Sequence, residues 1–249
     1  MTLLILGGTA EARALAGRLA EQGPPAILSL AGATRHPAPQ GLPTRHGGFG
    51  GAAGFRDYLR AQDISAVVDA THPFAARITA RTGAVCAAVG LPYCRLSRPA
   101  WEPGPGDHWT GIAAEEEAAR HIPAGAHVFL ATGRQGVARF ANLAGRRVTC
   151  RVLDPARAPF PFAGGRYMVA HPPFTVADEA ALFTLIGVDW LVVKNAGGSA
   201  SRPKLDAARQ LGLPVLMLRR PPDPATGARV ADVAGALDWI VAQGRAPHG

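Results

Sequence analysis

The sequence predicts an α/β protein with doubly wound, mainly parallel sheets, because short apolar strands alternate with helical patterns along almost the whole chain. The strands are continuous apolar runs, which is typical of parallel strands that helices cover on both faces. Between them, apolar residues recur at helical spacing, as at Ala12, Leu15, Ala16 and Leu19 in the first helix. The candidate strands are 3–6, 26–30, 66–70, 92–96, 127–131, 147–153, 166–170, 190–193 and 214–218.

The length of the chain indicates two domains. Its 249 residues are long for one small domain and are enough for two domains that each bury a core. The natural boundary is 97–107, where three prolines and two glycines interrupt both helix and strand. We therefore predict a first domain at 1–98, a linker at 99–107 and a second domain at 108–249.

Composition and charge limit the partners of the chain. The hydrophobic fraction is 48% and the net charge is +8, with many more arginines than lysines. The basic residues are scattered singly, which fits a small anionic ligand better than nucleic acid. No apolar run has the length of a membrane span, and Met1 leads directly into a core strand, so we expect a cytoplasmic protein with no membrane partner. The cysteines are far apart and lack metal-ligand spacing, so no metal site is predicted.

The first strand runs into Gly7-Gly8-Thr9, a turn that predicts a phosphate-binding site. Two adjacent glycines let the backbone approach a phosphate without Cβ clashes, and the N-terminus of the following helix carries partial positive charge. Glu11 lies in the first helical turn, where its negative charge interacts favourably with the helix dipole, and Arg13 is placed to reach a phosphate. The segment is therefore the first part of a candidate nucleotide site.

The segment after the second strand favours NADP over NAD. NAD-binding domains usually place an acidic residue here for the ribose 2′-hydroxyl, and this segment has none. Ser29, Thr34 and Arg35 are available instead, and they suit a 2′-phosphate. The glycine-rich loop at 47–51 either closes over a flat ligand or is a mobile connector.

Polar residues also follow three later strands, where the ligands of parallel sheets bind. His72 is either a helix-capping residue or an acid or substrate contact. Lys194 directly follows an apolar strand, so its ammonium is partly desolvated, which lowers its pKa and suits it to hold an anion or donate a proton. No motif for metal chemistry or covalent hydrolysis occurs. The three polar segments are Thr71–Phe74, Thr132–Gln135 and Lys194–Ser199.

Taken together, these clusters resemble the family of precorrin-6A reductases and cobalt-precorrin-6A reductases of corrin biosynthesis. The resemblance implies two Rossmann-like domains with the active site in the cleft between them. It also implies an oxidoreductase acting on a CH–CH bond, which uses NADPH to convert precorrin-6A to precorrin-6B in cobalamin biosynthesis. The matching segments occur in order along nearly the whole chain: Gly7–Arg13, Ser29–Gly32, Gly47–Gly51, Asp69–Ala75, Pro92–Trp101, Thr132–Gln135, Val192–Gly198 and Lys204–Pro214.

The residue patterns and the resemblance together assign roles to individual residues. The substrate is an anionic tetrapyrrole whose many carboxylates suit arginine-rich surroundings, and transient contact with neighbouring pathway enzymes is a further expectation. The candidate proton donors are Lys194, His72 and Asp69, with a bound water as the alternative. The candidate NADPH contacts are Gly7, Gly8, Thr9, Glu11, Arg13, Ser29, Gly32, Thr34, Arg35 and Gly48. The candidate substrate contacts are Thr71, Phe74, Thr132, Gly133, Arg134, Gln135, Asn195, Gly197 and Gly198.

Two alternative functions are compatible with the same kind of sheet. One is a methyltransferase of the same pathway that uses S-adenosylmethionine. The paired glycines beside Thr9 and Arg13 argue against it, because they suit a phosphate, which that cofactor lacks. The other is a non-catalytic dinucleotide sensor, which would not need the polar residues at the strand ends of the second domain.

Overall fold

The computed structural model describes residues 1–31 and 41–245, which form two compact units. The first unit comprises Met1–Pro99 and the segment that begins at Pro221, and the second comprises Ala100–Arg220. Each unit contains one six-stranded sheet, and all the strand pairs of the described residues are parallel. The predicted α/β fold with parallel sheets is confirmed.

The elements alternate along the chain as strands and helices. In the described ranges, no helix is long and apolar enough to cross a membrane. Two short 3₁₀ helices cover Glu115–Arg120 and Val137–Leu143. The strands are β1 (Thr2–Leu6), β2 (Ala26–Leu30), β3 (Thr44–His46), β4 (Ile64–Asp69), β5 (Tyr93–Leu96), β6 (Trp109–Ile112), β7 (His127–Ala131), β8 (Arg147–Val152), β9 (Gly165–Val169), β10 (Trp190–Lys194), β11 (Val215–Leu218) and β12 (Ala228–Val230). The α-helices are α1 (Ala10–Gln22), α2 (Gly51–Ala61), α3 (Ala76–Ala88), α4 (Val176–Ile186), α5 (Pro203–Gln210) and α6 (Val233–Arg245).

The sheet of the first unit has the strand order β12-β5-β4-β1-β2-β3 and is covered on both faces. Successive side chains of β1 point to opposite faces, so Leu3 and Ile5 pack against α1 and α6, while Leu4 and Leu6 pack on the side of α2 and α3. Because both faces are buried, β1 is apolar throughout, which explains why the sequence shows it so clearly.

The sheet of the second unit has the order β6-β11-β10-β7-β8-β9. Its central strands supply Phe129, Leu191 and Val193 to one buried cluster with Phe183 of α4 and Leu205 of α5. Fully burying a side chain of this size contributes about 1.5–3 kcal/mol, so this cluster fixes α4 and α5 on that face of the sheet.

All nine predicted strands are present, and their bounds differ from the prediction by at most two residues. Sequence reasoning missed β3, β6 and β12, and all three lie at the edges of the two sheets. An edge strand has one neighbour and much exposed surface, so it lacks the continuous apolar run that marks a central strand.

The C-terminal segment joins the first unit, which differs from its predicted place in a second domain at 108–249. Strand β12 pairs with β5, with Ala228 opposite Cys94 and Val230 opposite Leu96. In α6, Ala236 and Ile240 are buried in the same cluster as Leu3 and Ile5. The apolar face of α6 therefore completes the core of the first unit.

The proline-rich segment predicted as a linker at 99–107 is mostly part of the second unit. The carboxylate of Asp107 is fully buried and accepts hydrogen bonds from Arg209 Nε at 3.0 Å and Nη2 at 2.8 Å. It also accepts from the backbone N–H of Gly104 at 2.9 Å. These bonds hold the segment against α5, and the sequence contained no local signal for them.

Candidate cofactor and substrate sites

The turn after β1 is built as the sequence predicts. The backbone N–H of Gly7 donates to Ser29 O at 2.9 Å, and Gly8 has a φ of +124°, which a residue with a Cβ rarely adopts. Thr9 is the N-cap of α1, because its Oγ1 accepts from Ala12 N at 3.1 Å. The same hydroxyl donates to Ala70 O at 2.8 Å, so Thr9 orders the turn between two strand ends.

Glu11 and Arg13 differ in their surroundings although both lie in the first turns of α1. Glu11 forms an ion pair with Arg98, and both side chains are partly buried. Arg13 is exposed. Glu11 is therefore engaged by a cation of the protein, whereas Arg13 remains accessible at the helix surface.

Arg45 lies beside the end of β2, and the sequence reasoning missed it. Its Nη1 donates to Ser29 Oγ at 2.8 Å and to Gly47 O at 3.0 Å, and its Nη2 donates to Gly48 O at 2.9 Å. The pairing of β2 with β3 sets this contact, because Ser29 and Arg45 are partners in the parallel ladder. The predicted contacts Gly32, Thr34 and Arg35 lie outside the described residues.

The glycine-rich loop at 47–51 is anchored by its aromatic residue. Phe49 is buried and meets Phe55 and Tyr58 edge to face, with ring centroids 4.8 and 5.2 Å apart. The guanidinium of Arg45 lies 3.9 Å from the centre of the Phe49 ring, on the same aromatic cluster. Phe49 therefore belongs to the core of the first unit and ties the loop to α2.

Asp69, a predicted proton donor, is fully buried in an ion pair with Arg95. Arg95 Nη1 lies 2.7 Å from Asp69 Oδ1, and Arg95 is itself 1% exposed. The same carboxylate accepts from Thr71 N at 3.0 Å, from Thr71 Oγ1 at 2.7 Å and from Tyr93 OH at 3.0 Å. Asp69 and Thr71 thus hold the end of β4 in shape, which places neither side chain on an open surface.

His72 and Phe74 are half-buried at the start of the segment that leads into α3. The backbone N–H of Phe74 donates to His72 Nδ1 at 3.2 Å. This bond makes Nδ1 an acceptor, so a neutral His72 carries its proton on Nε2. Nε2 is therefore the ring nitrogen that can donate a hydrogen bond.

Lys194 ends β10 in the second unit, as the sequence predicts. Burial lowers its pKa, while the negative charge of Glu115 opposes that shift. Glu115 is itself buried and forms an ion pair with Arg139 at 3.0 Å. Sequence reasoning missed Glu115, because it lies in a run of three acidic residues that looks like an exposed helical turn.

The segment after β7 contains a buried polar atom that points to a ligand. Thr132 is buried, and in the described part of the chain its Oγ1 has no hydrogen-bond partner. An unsatisfied buried hydroxyl costs about 1–3 kcal/mol unless a ligand or water supplies the missing bond. Gly133 adopts a φ of +73°, and Arg134 and Gln135 are exposed beside it.

Asn195, predicted as a substrate contact, holds the segment around Trp101. Its Oδ1 accepts from Trp101 N at 2.8 Å, and its Nδ2 donates to Trp101 O at 3.0 Å. Trp101 Nε1 also donates to Gly198 O at 2.9 Å. Gly197 and Gly198 have φ values of +68° and +78°, so this loop requires glycine at both positions. Asn195 and Trp101 therefore fix the shape of the loop that follows Lys194.

Comparison with known proteins assigns this chain to a family. The family model described as "Precorrin-6x reductase CbiJ/CobK" matches residues 2–241. A precorrin-6A reductase of Rhodococcus erythropolis is 48% identical over 240 residues, which are 96% of each chain. A precorrin-6A reductase of Rhodobacter capsulatus is 43% identical over 248 residues, covering 99% of this chain and 98% of the relative. The chain belongs to the precorrin-6x reductase family.

A solved structure supports the same family assignment. The structure described as "CobK precorrin-6A reductase" is 42% identical, covers 100% of this chain and 99% of its own, and superposes with a TM-score of 0.93. The predicted family, its reductase function in cobalamin biosynthesis and its class as an oxidoreductase acting on a CH–CH bond are confirmed. The methyltransferase and sensor alternatives find no support in these relatives.

Proposed function

We propose that this reductase uses NADPH to reduce precorrin-6A to precorrin-6B. The relatives named above support the substrate, because they are called precorrin-6A reductases and match the chain over nearly its whole length. The observation that carries the cofactor proposal is the preformed turn at Gly7 and Gly8, which lies at the N-terminus of α1. In the sheet, only β2 separates the strand before this turn from β3, which carries Arg45.

The first unit offers a fitting set of groups for NADPH. The backbone of Gly7 and Gly8 and the first N–H groups of α1 would hold a phosphate, as at other helix N-termini. Arg45 and Ser29 would hold the 2′-phosphate, since a guanidinium beside a hydroxyl is a common phosphate site. NADPH held there would supply the hydride, and the residues around it would orient the nicotinamide ring and exclude water.

The second unit offers groups for an anionic substrate. Arg134 is exposed and Lys194 is half-buried, so both suit the carboxylates of a tetrapyrrole. The unsatisfied Thr132 Oγ1 would gain its missing hydrogen bond from the substrate or an ordered water. The polar residues that follow β7 and β10 would therefore share one role, which is to hold the acidic side chains of the ring.

Of the three candidate proton donors, we favour Lys194. Asp69 is enclosed in its ion pair with Arg95, so it does not reach a substrate without unfolding of the strand end. Burial lowers the pKa of Lys194, which makes the ammonium a better acid, and Glu115 keeps it charged. His72 stays a second candidate, because it presents Nε2 as a donor.

The first experiment follows nicotinamide absorbance with precorrin-6A and either NADPH or NADH. We expect Arg45→Gln to raise the KM for NADPH about 10- to 100-fold, because a charge-assisted hydrogen bond contributes about 1.5–3 kcal/mol. The KM for NADH should not change. Arg56→Gln, an exposed arginine of α2, is the control. An equal loss with both cofactors contradicts the role of Arg45, and absence of substrate-dependent oxidation by the wild type overturns the proposed reaction.

The second experiment tests the substrate groups. Lys194→Ala and Arg134→Ala should weaken binding of precorrin-6A more than binding of NADPH, as measured by separate titrations. For the proton donor, the rate of the wild type should fall as pH rises through the pKa of Lys194, and Lys194→Met should remove that dependence. A pH profile that is unchanged in Lys194→Met but lost in His72→Gln would assign the donor to His72.

A further inference from the structure

The second unit has a cavity of about 280 Å³ at the amino-terminal edge of its sheet. His127 and Arg147 begin β7 and β8, and Lys194 ends β10, so the cavity lies at the opposite edge of the parallel sheet from Lys194. The cavity is lined by two arginines and two buried polar residues, together with glycine and apolar residues. The polar lining residues are Arg147, Arg166, His127 and Thr149.

A chain of hydrogen bonds determines which ring nitrogen of neutral His127 carries the proton. Its Nδ1 lies 2.8 Å from Ile186 O and 3.1 Å from Gly187 O, and since a carbonyl only accepts, Nδ1 carries a proton. Its Nε2 lies 2.9 Å from Thr149 Oγ1, which in turn accepts from Arg166 Nε at 3.1 Å. In the neutral imidazole, Nε2 therefore accepts the hydroxyl proton of Thr149.

The charges around the cavity are mainly positive. Burial lowers the pKa of His127, and the positive charges of Arg147 and Arg166 act in the same direction. An acidic residue, Asp189, lies beside this histidine, and its carboxylate accepts from the backbone N–H of His127 at 2.7 Å. In the described ranges, neither Arg147 nor Arg166 forms an ion pair. Two cations thus line the cavity without a carboxylate partner.

We propose that this cavity binds a small oxyanion, a phosphate or carboxylate group, through Arg147, Arg166 and the hydroxyl of Thr149. His127 and Thr149 are 3% and 1% exposed and form the buried floor of the site, while the side chains of Arg147 and Arg166 are exposed. A guanidinium pair beside a hydroxyl matches the acceptor oxygens of such an anion. The site is independent of the proposed reaction.

Anion binding is coupled to the protonation of His127. When His127 takes up a proton, Nε2 becomes a donor and Thr149 Oγ1 becomes its acceptor, so the Thr149 hydroxyl proton needs a new acceptor. An anion oxygen in the cavity provides it, and the anion also offsets the added charge. The bound anion therefore raises the pKa of His127, and its affinity increases as the pH falls.

The test uses sulfate, whose charge stays constant over the range in which histidine titrates. The pKa of His127 is followed by NMR of its imidazole resonances in the full chain. Saturating sulfate should raise this pKa by about one unit, which corresponds to about tenfold tighter binding to the protonated form. Acetate in a parallel titration shows whether a carboxylate is taken as readily as a tetrahedral anion.

Variants decide whether the cavity is the site. Arg147→Gln, which leaves the hydrogen-bond chain of Thr149 untouched, should abolish most of the sulfate-induced shift, and so should Arg166→Gln. Arg120→Gln removes an exposed charge of the same unit and should leave the shift intact. The proposal is overturned if neither anion moves the pKa of His127, or if the shift survives in both cavity variants.

Discussion

The buried ion pair of Asp69 and Arg95 makes a sharp prediction for Asp69→Asn. The substitution keeps the shape of the side chain but removes its charge, and Arg95, which is 1% exposed, then lacks its main counter-ion. Breaking a buried pair by removing one partner costs about 3–5 kcal/mol. Asp223 lies 3.5 Å from Arg95 Nε and is partly exposed, so it compensates in part. We therefore expect the free energy of unfolding to fall by about 3 kcal/mol, near the lower end of that range.

The assay is urea unfolding followed by circular dichroism, with activity measured on the folded variant. The control is Asp63→Asn. Asp63 is exposed and directly precedes the same strand, and asparagine tolerates its φ of +49°. It should change stability by less than about 0.5 kcal/mol. A fully stable Asp69→Asn that has lost its activity would refute the structural reasoning and restore Asp69 as a proton donor.

Three further predictions concern other parts of the chain. Asn195→Ala should lower kcat and alter Trp101 fluorescence with little change in NADPH affinity, because both hydrogen bonds to Trp101 are lost; unchanged kcat would contradict the positioning role. Gly54→Ala should destabilise by about 1–3 kcal/mol, because its Cβ would lie 2.0 Å from Phe49 O, whereas Gly17→Ala in α1 has open space and should be neutral or stabilising in the same unfolding assay. Burial lowers the pKa of Lys204 to about 8, below its value in the unfolded chain. Between pH 8 and 10 the unfolded state therefore binds more protons than the folded state. The free energy of unfolding should rise in this range by roughly 1.4 kcal/mol per pH unit relative to Lys204→Met. If the free energy of unfolding changes with pH by the same amount in both proteins across this range, the prediction is wrong.

Much of the architecture follows from local sequence. Central strands such as β1 and β7 are covered on both faces, so their continuous apolar runs identify them. The Gly7-Gly8 turn is equally local, since the positive φ of Gly8 and the cap by Thr9 involve only neighbours in sequence. The ordered set of motifs also sufficed to identify the family.

The tertiary structure decided what those residues do. Asp69 faces Arg95, and Arg45 faces Ser29, only because β4 pairs with β5 and β2 with β3 in a particular register. Likewise, Asn195 holds Trp101, 94 residues away, and α6 completes the core of the first unit. The sequence does not distinguish a polar side chain at a strand end that faces a ligand from one that faces a buried partner. The sequence therefore determined the central strands, the turn and the reaction class, while long-range pairing determined the remaining edge strands and which polar groups are satisfied inside the fold.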